Sequence, residues 1–358
     1  MPKKTIVIAA VLLLIGWQAW RISRDSGAFV EIEPVSVGAC TMMEGPAGSE
    51  DINIDRVNRV AFISAGNGRE VFDSYRSGST AKVKNGDIWL LDLSQPDSRP
   101  EPLNVQIEQP FHPHGIDLLQ LEDGKRELYM VNHPSRFEDE ILVFDVAEDH
   151  SLTLKGRFHY PELISPNDIK AIGRNQFFVS NDHGSPQPSI MATIEDYFGM
   201  SWSSVSYFDG QTGVLAVEGI KGANGLAISE DGQTLFIAEA LGRSVKRFRR
   251  GASMREWEFV EKLDVNTAVD NLEWSEDGRL LAGAHPKLFP LLEHVRDANS
   301  LSPSHVIAVQ VSSSPMTFET IYMNDGTELS GSSVATMLDG EMLIGSILED
   351  HFLRCEVE

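Results

Sequence analysis

The chain has 358 residues, of which 42% are hydrophobic and 8% aromatic, so it can bury a sizeable globular core. Its 30 lysines and arginines face 53 aspartates and glutamates, which gives a formal net charge of −23 at pH 7. This charge argues against a nucleic-acid partner, because a phosphate backbone is bound through clustered basic residues. It fits a soluble surface, or carboxylates that a bound cation partly neutralises.

The first element is a hydrophobic segment at the N-terminus. An apolar run from Thr5 to Trp20 has basic residues on both sides and is slightly shorter than the roughly 17–25 residues of a spanning helix. Residues 1–26 therefore predict a signal peptide or, since no A-x-A-like cleavage site follows, an uncleaved signal anchor in a membrane. The alternative is a helix buried in the main domain. The prediction makes the protein exported, either membrane-anchored or periplasmic or extracellular, with residues 27–358 as its main domain.

The chain contains two cysteines, Cys40 and Cys355, near the two ends of the main domain. An even number of cysteines in an exported chain suggests a disulfide bond. The chain-entropy treatment gives an upper figure of roughly 5–6 kcal/mol for closing a loop of this length. The alternative is two unrelated buried thiols.

A strand pair recurs six times along the main domain. Each copy begins with a polar residue, continues as a short apolar strand, turns, and ends in a second apolar strand with a polar tip. Clear copies are "NGLAISEDGQTLFIAEA" from Asn224 and "NLEWSEDGRLLAGAHP" from Asn271. The copies start at residues 50, 114, 167, 224, 271 and 333, which are 64, 53, 57, 47 and 62 residues apart.

Periods of this length, built only of short strands, indicate a β-propeller in which each period is one blade. Six copies therefore predict an all-β, six-bladed propeller that follows the N-terminal hydrophobic helix. A propeller must bring its last blade back to its first, and a bond between Cys40 and Cys355 would fasten this closure.

The polar residues at the start of each copy should meet at one place, because the innermost strand of every blade lines the central channel. Any one of them alone would more often be a turn former, but they recur at one phase of the repeat. Carboxylate and amide oxygens without cysteine suit a hard cation, and calcium tolerates irregular cages better than magnesium does. We therefore predict calcium, with zinc on the "HPH" stretch at 112–114 as an alternative. The polar residues expected to meet in the channel are Glu50, Asp51, His114, Asn167, Asp168, Asn224, Asp270 and Asn271, of which all but His114 offer side-chain oxygens.

Four histidines lie near this predicted ring. His114 begins a strand and His133 ends its hairpin partner, so the two could share a hydrogen bond that keeps one imidazole ready to take a proton from water. His183 and His285 end the equivalent strands of later blades and are candidates for the pocket wall or for supporting the metal ligands. The chain has no G-x-S-x-G elbow, no H-E-x-x-H and no phosphate-binding glycine loop, which leaves metal-assisted hydrolysis.

Eight short motifs strengthen this prediction by their order. They are "GSEDI" at 48–52, "PHGI" at 113–116, "VNHP" at 131–134, "NDI" at 167–169, "NDH" at 181–183, "ANGL" at 223–226, "VDN" at 269–271 and "HP" at 285–286. With Cys40, Cys355 and the N-terminal hydrophobic segment, their order and spacing resemble the paraoxonase/arylesterase family over nearly the whole chain. The resemblance depends on the set, since no single motif carries it.

The resemblance implies a propeller with two calcium ions in its channel, acting on lactones, with aryl esters and organophosphates as side substrates. It implies a catalytic calcium held by Glu50, Asn167, Asn224, Asp270 and Asn271. It implies a buried structural calcium held by Asp51, Asp168 and the backbone carbonyl of Ile116. His114 and His133 would then form a catalytic dyad, with His114 next to the attacking water.

Three features depart from the family pattern. Ala284 stands where animal members often carry a free cysteine, and His112 stands where an asparagine is familiar. The segment 67–86, expected to form part of an active-site lid, does not align clearly. Two other functions stay open at this point, namely a gluconolactonase-like sugar-lactone hydrolase and a non-catalytic, calcium-stabilised propeller that binds a partner.

Overall fold

The computed structural model describes residues 3–77, 83–108, 110–135 and 138–357, and within these residues 24 strands form six four-stranded antiparallel sheets. Strand β1 (Cys40–Glu44) precedes the first blade. Blade one contains β2 (Ser49–Asp55), β3 (Val60–Ala65), β4 (Asp87–Asp92) and β5 (Glu101–Pro102). Blade two contains β6 (Pro113–Gln120), β7 (Arg126–Ser135), β8 (Glu138–Val146) and β9 (Leu152–Phe158).

The remaining blades repeat this order. Blade three contains β10 (Pro166–Gly173), β11 (Gln176–Asn181), β12 (Ser203–Phe208) and β13 (Gly213–Ile220). Blade four contains β14 (Ala223–Ile228), β15 (Thr234–Glu239), β16 (Ser244–Arg250) and β17 (Trp257–Asp264). Blade five contains β18 (Ala268–Trp274), β19 (Leu280–His285), β20 (Ser304–Gln310) and β21 (Thr317–Asn324). Blade six contains β22 (Ser332–Leu338), β23 (Glu341–Ser346), β24 (His351–Glu356) and β1.

The six-bladed propeller predicted from the repeat is therefore confirmed. Each predicted copy is the first strand pair of a blade, and each polar start lies within the first three or four residues of the innermost strand. The second strand runs back antiparallel, so its end lies beside the start of the first. We call the end of the propeller that carries these polar residues the upper face.

The hydrophobic core lies between neighbouring blades, where the facing sheets interdigitate. Between blades six and one, for example, Ile52 and Leu91 pack with Leu343 and Phe352, and all four side chains are buried. Similar clusters fill the other blade interfaces, so the inner strands are covered on both faces, as the fully buried β3 and β19 show, whereas outermost strands such as β17 are largely exposed.

The ring closes inside blade six, where the N-terminal strand β1 is the outermost strand and pairs with the C-terminal strand β24. Cys40 lies directly opposite Cys355 in this ladder, and the two form a disulfide bond. The predicted bond is confirmed, and the alternative of two unrelated thiols is wrong.

Four helices belong to the described residues: α1 (Lys3–Asp25), α2 (Gly68–Ser77), α3 (Ile190–Phe198) and α4 (Leu288–Arg296). Helices α2, α3 and α4 each follow the second strand of a blade and so lie on the upper face. The predicted lid segment contributes α2, while its residues 78–82 lie outside the described part of the chain.

Helix α1 packs on the same face through hydrogen bonds to the loops there. The Gln18 side chain donates to the Tyr197 carbonyl at 2.9 Å, and the Leu288 amide donates to the Ser26 carbonyl at 2.9 Å. Large apolar side chains between Ile8 and Trp20 are exposed, with Leu13 at 74%, so the alternative of a buried helix is wrong. None of the helices in the described residues is long and apolar enough to cross a membrane.

Candidate metal and catalytic site in the channel

A register irregularity at the same level of all six innermost strands positions the site. In each blade the register between the innermost strand and the second strand shifts, between residues 49 and 51, 113 and 116, 166 and 169, 223 and 226, 269 and 272, and 332 and 335. A bulge re-aims side chains and often borders an active site. The predicted ring residues occupy five of these irregularities, and Ser333 occupies the sixth.

Two glycines permit the close approach of neighbouring strands at this level. A Cβ atom on Gly115 would lie 2.7 Å from the Asn167 carbonyl oxygen and 2.8 Å from Oδ1 of Asp168. A Cβ atom on Gly225 would lie 2.4 Å from the Leu272 amide nitrogen. Such distances are too short for any side chain, which explains why glycine follows the polar residue in "PHGI" and "ANGL".

The upper ring is held by hydrogen bonds to Glu50. The Asn271 side-chain amide donates to the backbone carbonyl of Glu50 at 3.0 Å and to its Oε1 at 2.9 Å. The Ser333 hydroxyl donates to the same carbonyl at 2.6 Å. Asp270 Oδ2 lies 2.8 Å from His285 Nε2. Blades one, five and six therefore share one polar network at the upper face.

Four side-chain oxygens of this ring are buried and have no hydrogen-bond partner among the described residues. They belong to four different innermost strands and are Glu50 Oε2, Asn167 Oδ1, Asn224 Oδ1 and Asn271 Oδ1. An unsatisfied buried oxygen costs about 1–3 kcal/mol, so four at one level are unusual. Carboxylate and amide oxygens are calcium ligands, and these residues therefore fit a calcium ion.

Buried carboxylates give the same indication. Burial raises the pKa of Glu50 well above its ordinary value, and the charge of Asp270 raises it further. Burial likewise raises the pKa of Asp51, with Asp168 and Glu50 adding to the effect. A divalent cation among these groups would favour their charged forms and offset the burial.

Asp51 and Asp168 lie below the upper ring and connect neighbouring blades. Asp51 Oδ2 accepts a hydrogen bond from the Ile116 amide of blade two at 2.8 Å. Asp168 Oδ2 accepts one from the Leu226 amide of blade four at 2.6 Å. Both carboxylates are buried. The structure thus joins Asp51 to Ile116 through the Ile116 amide, whereas the prediction named the Ile116 carbonyl, and it places Asp168 at the equivalent position of blade three.

The two dyad histidines are in contact, but not as predicted. Their rings meet edge to face with centroids 5.3 Å apart, and no hydrogen bond joins them among those of the described residues. His133 Nδ1 instead lies 2.7 Å from Asp139 Oδ1, and His114 Nε2 lies 3.2 Å from Asn167 Nδ2 and 3.5 Å from Glu50 Oε1. The expected hydrogen bond between the two histidines is therefore not formed, because their rings meet edge to face and His133 Nδ1 is turned to Asp139.

Burial, with a contribution from His133, lowers the pKa of His114 to about 4. The imidazole is therefore neutral near pH 7 and can accept a proton. This is the protonation state that a general base needs.

The other two histidines have different surroundings. His285 contacts the carboxylate of Asp270, as expected of a residue that supports a metal ligand. His183 lies between Asp182 and Asp196, with ring nitrogens 2.9 Å from one oxygen of each. Burial alone would lower its pKa, but the two carboxylates raise it to about 10. His183 is therefore a charged link between the end of β11 and helix α3.

Sequence reasoning missed Asp139 and Ser333. Asp139 belongs to the acidic stretch "EDE" at 138–140, which has no pattern that marks one carboxylate as a histidine partner. Ser333 was recognisable, because it opens the sixth copy where most others carry a ligand type. Within the described residues, no group of three His, Cys, Asp or Glu ligand atoms forms around His112 and His114, so the zinc alternative gains no support.

The fold and the site together define a six-bladed propeller with an oxygen-lined channel and a histidine pair at its upper end. The Arylesterase family model matches residues 31–357. Human serum paraoxonase/arylesterase 2 is 33% identical over 363 residues, covering 98% of each chain. Human serum paraoxonase/arylesterase 1 is 32% identical over 367 residues, covering 98% of this chain and 99% of that one. Rabbit (Oryctolagus cuniculus) serum paraoxonase/lactonase 3 is 31% identical over 353 residues, covering 95% of each.

The chain belongs to the arylesterase family and is a hydrolytic enzyme of that class. Solved structures share the fold at lower identity. A gluconolactonase from Xanthomonas campestris aligns with a TM-score of 0.54 at 13% identity, covering 92% of this chain and 95% of that one. A calcium-binding regucalcin from Agrobacterium tumefaciens aligns with a TM-score of 0.50 at 12% identity, covering 91% and 94%.

Proposed function

We propose that the protein is a calcium-dependent hydrolase that opens lactones and cleaves aryl esters, with organophosphate triesters as side substrates. The observation that carries this proposal is the set of four buried, unpartnered oxygens on four innermost strands beside a neutral histidine. The names of the relatives support the substrate classes, since they include paraoxonase, arylesterase and lactonase. The gluconolactonase alternative depends on fold alone, at 13% identity.

Two calcium sites account for the channel residues. The upper, catalytic site would use the ring residues Glu50, Asn167, Asn224, Asp270 and Asn271. The lower, structural site would use Asp51, Asp168 and the carbonyl of Ile116. Charge supports this count, because Glu50, Asp51, Asp168 and Asp270 together carry four negative charges when ionised, and two calcium ions carry four positive charges.

A bound calcium ion supplies Lewis-acid polarisation of the ester carbonyl. The chain's own residues supply the proton transfer and the positioning. His114 accepts a proton from the attacking water on its neutral ring, and His133, held by Asp139, supports the edge of that ring. His285 orients the Asp270 carboxylate through the 2.8 Å contact.

The disulfide and the N-terminal segment support a proposal about the cellular location. A disulfide between Cys40 and Cys355 is expected in an oxidising compartment, which supports an exported protein. We propose in addition that residues 1–26 act as a signal anchor or signal peptide and that residues 27–358 form the catalytic domain. Detergent-free extraction and N-terminal sequencing of the protein from its membrane and soluble fractions would test this division.

The test of the function is a substrate panel run with and without calcium. Lactones of several chain lengths, an aryl ester and a phosphotriester are offered to the purified protein before and after treatment with a chelator. We expect lactones to be turned over fastest, chelation to abolish all three activities, and calcium to restore them. A full lactonase rate in a sample shown by elemental analysis to be metal-free would contradict the calcium proposal. No turnover of any ester with calcium bound would contradict the substrate proposal.

A further inference from the structure

A third polar layer lies in the channel below the two proposed metal sites. On four of the innermost strands, another polar side chain follows three residues after a ring residue. These residues lie on β2, β6, β10 and β18 and are Asn53, Asp117, Lys170 and Glu273. The layer contains one cation, which is the ammonium group of Lys170.

The four side chains form one network. Lys170 Nζ lies 2.5 Å from Asp117 Oδ1, and Asp117 Oδ2 accepts a hydrogen bond from the Ala171 amide at 2.8 Å. The Asn53 side-chain amide donates to Glu273 Oε1 at 3.0 Å and lies 3.5 Å from Asp117 Oδ1. Glu273 belongs to blade five and Asn53 to blade one, which are not neighbours. The network therefore crosses the channel instead of following its wall.

Lys170 lies close to the proposed lower calcium site. It follows Asp168 by two residues on β10, or about 7 Å along the strand. Its side chain is 18% exposed and that of Asp117 is 4% exposed, so the pair is largely shielded from solvent. Lys170 also interacts electrostatically with Glu273 and Asp168. The ammonium group of Lys170 thus lies beside the lower end of the ion path, paired with Asp117 and close to Glu273.

We propose that Lys170 closes the lower end of the channel to cations, so that calcium enters and leaves the lower site only through the upper face. This inference rests on the proposed pair of calcium sites. A divalent ion leaving downwards would have to break this network in a poorly solvated passage, where the ammonium group of Lys170 already pairs with Asp117 and offsets one of the layer's two carboxylate charges. An ion leaving upwards meets the carboxylates and amide oxygens of the upper ring. The lower ion is therefore retained as long as the upper site is filled.

Calcium release kinetics test this proposal on the full chain. The calcium-loaded protein is mixed with an excess of the fluorescent chelator quin-2, and the bound metal is counted separately by elemental analysis. We expect two ions per wild-type chain, with the second released more slowly than the first. Lys170→Ala should accelerate the slower phase at least about tenfold, because it removes the side chain that occupies the passage and leaves the Asp117 carboxylate free to attract the ion. The faster phase should not change.

A matched control and a second variant separate this effect from loss of folding. Lys155 Nζ makes a similar pair, 2.5 Å from Glu127 Oε1, outside the innermost strands, so Lys155→Ala should leave both phases unchanged. The double variant Lys170→Ala with Asp117→Asn removes the carboxylate that would be left uncompensated and keeps an acceptor for the Ala171 amide. It should show the same acceleration.

The outcomes distinguish this inference from the proposed function. A slower phase that keeps its wild-type rate in the folded double variant overturns the closure by Lys170. Equal acceleration in Lys155→Ala also overturns it, because the effect would then not belong to the channel. A wild-type chain that binds no calcium overturns the proposed function itself.

Discussion

The substitution Asn224→Ala should lower the free energy of unfolding when calcium is present, and should leave it nearly unchanged or raise it in chelator. Oδ1 of Asn224 is buried without a hydrogen-bond partner among the described residues, so the calcium-free protein bears a penalty of about 1–3 kcal/mol at this atom. Alanine removes the atom together with some packing of similar magnitude. In chelator, we therefore expect the free energy of unfolding to stay within about 1 kcal/mol of wild type or to rise.

With calcium in excess, the same substitution removes a proposed ligand. A loss of calcium affinity of at least about tenfold lowers the free energy of unfolding by about 1.4 kcal/mol or more under saturating conditions, since calcium binds only the folded channel. Activity should fall further than stability, because the upper site is also the proposed catalytic site. Urea denaturation of wild type and variant with calcium and with chelator, at equal ionic strength, measures the change in the free energy of unfolding under each condition.

Asn181→Ala is the matched control for this experiment. Asn181 is also buried near the upper face, but Oδ1 accepts from the amides of Ile164 at 2.8 Å and Ser165 at 3.1 Å, and its amide group donates to Glu162 and Ser204. Its loss should cost roughly 2–4 kcal/mol with or without calcium. If Asn224→Ala behaves like Asn181→Ala, with an equal loss in both conditions, then Asn224 is a structural residue and the ligand argument is refuted.

Four further predictions concern the dyad, the lower site, the disulfide and the charged histidine. His114→Gln should lower lactone turnover by about 10²–10⁴, and His133→Gln should cause a milder loss. If His114→Gln keeps a rate within a few-fold of wild type and an unchanged acidic limb of the pH–rate profile, His114 is not the general base. Asp168→Ala removes the hydrogen bonds from the Leu226 and Ile169 amides, so it should reduce soluble yield and melting temperature more than Asn224→Ala does. The reverse ranking would show that the proposed catalytic and structural sites are exchanged. Cys40→Ser removes a bond between residues 315 positions apart and should lower the free energy of unfolding by about 2–5 kcal/mol without changing turnover of the folded enzyme. Two free thiols per chain in denatured, unreduced wild type would contradict the bond. The pKa of His183 is raised to about 10, so its ion pairs stabilise the fold fully below the ordinary histidine pKa near 6.5. This contribution, roughly 2–4 kcal/mol, is lost as the pH rises towards 10. If the free energy of unfolding of His183→Gln depends on pH with the same slope as that of wild type, the prediction is contradicted.

The sequence by itself determined the architecture and the level of the site. A polar residue at one phase of six strand pairs defines both the number of blades and the residues that meet in the channel, since every innermost strand starts at the same face. Glu50, Asn167 and Asn224 were recognisable in this way although they lie more than fifty residues apart. The partners Cys40 and Cys355 were recognisable because the chain has no other cysteine.

Only the tertiary structure decided the side-chain partners. His133 pairs with Asp139 and not with His114, and Asn53 reaches Glu273 at a separation of 220 residues. A repeat specifies which level of the channel a residue occupies, but the bulges and the approach of neighbouring blades decide where its side chain points. Lys170 shows this limit most clearly. Its position three residues after Asn167 was readable from the chain, whereas its ion pair with Asp117 depends on strands from neighbouring blades meeting in the channel.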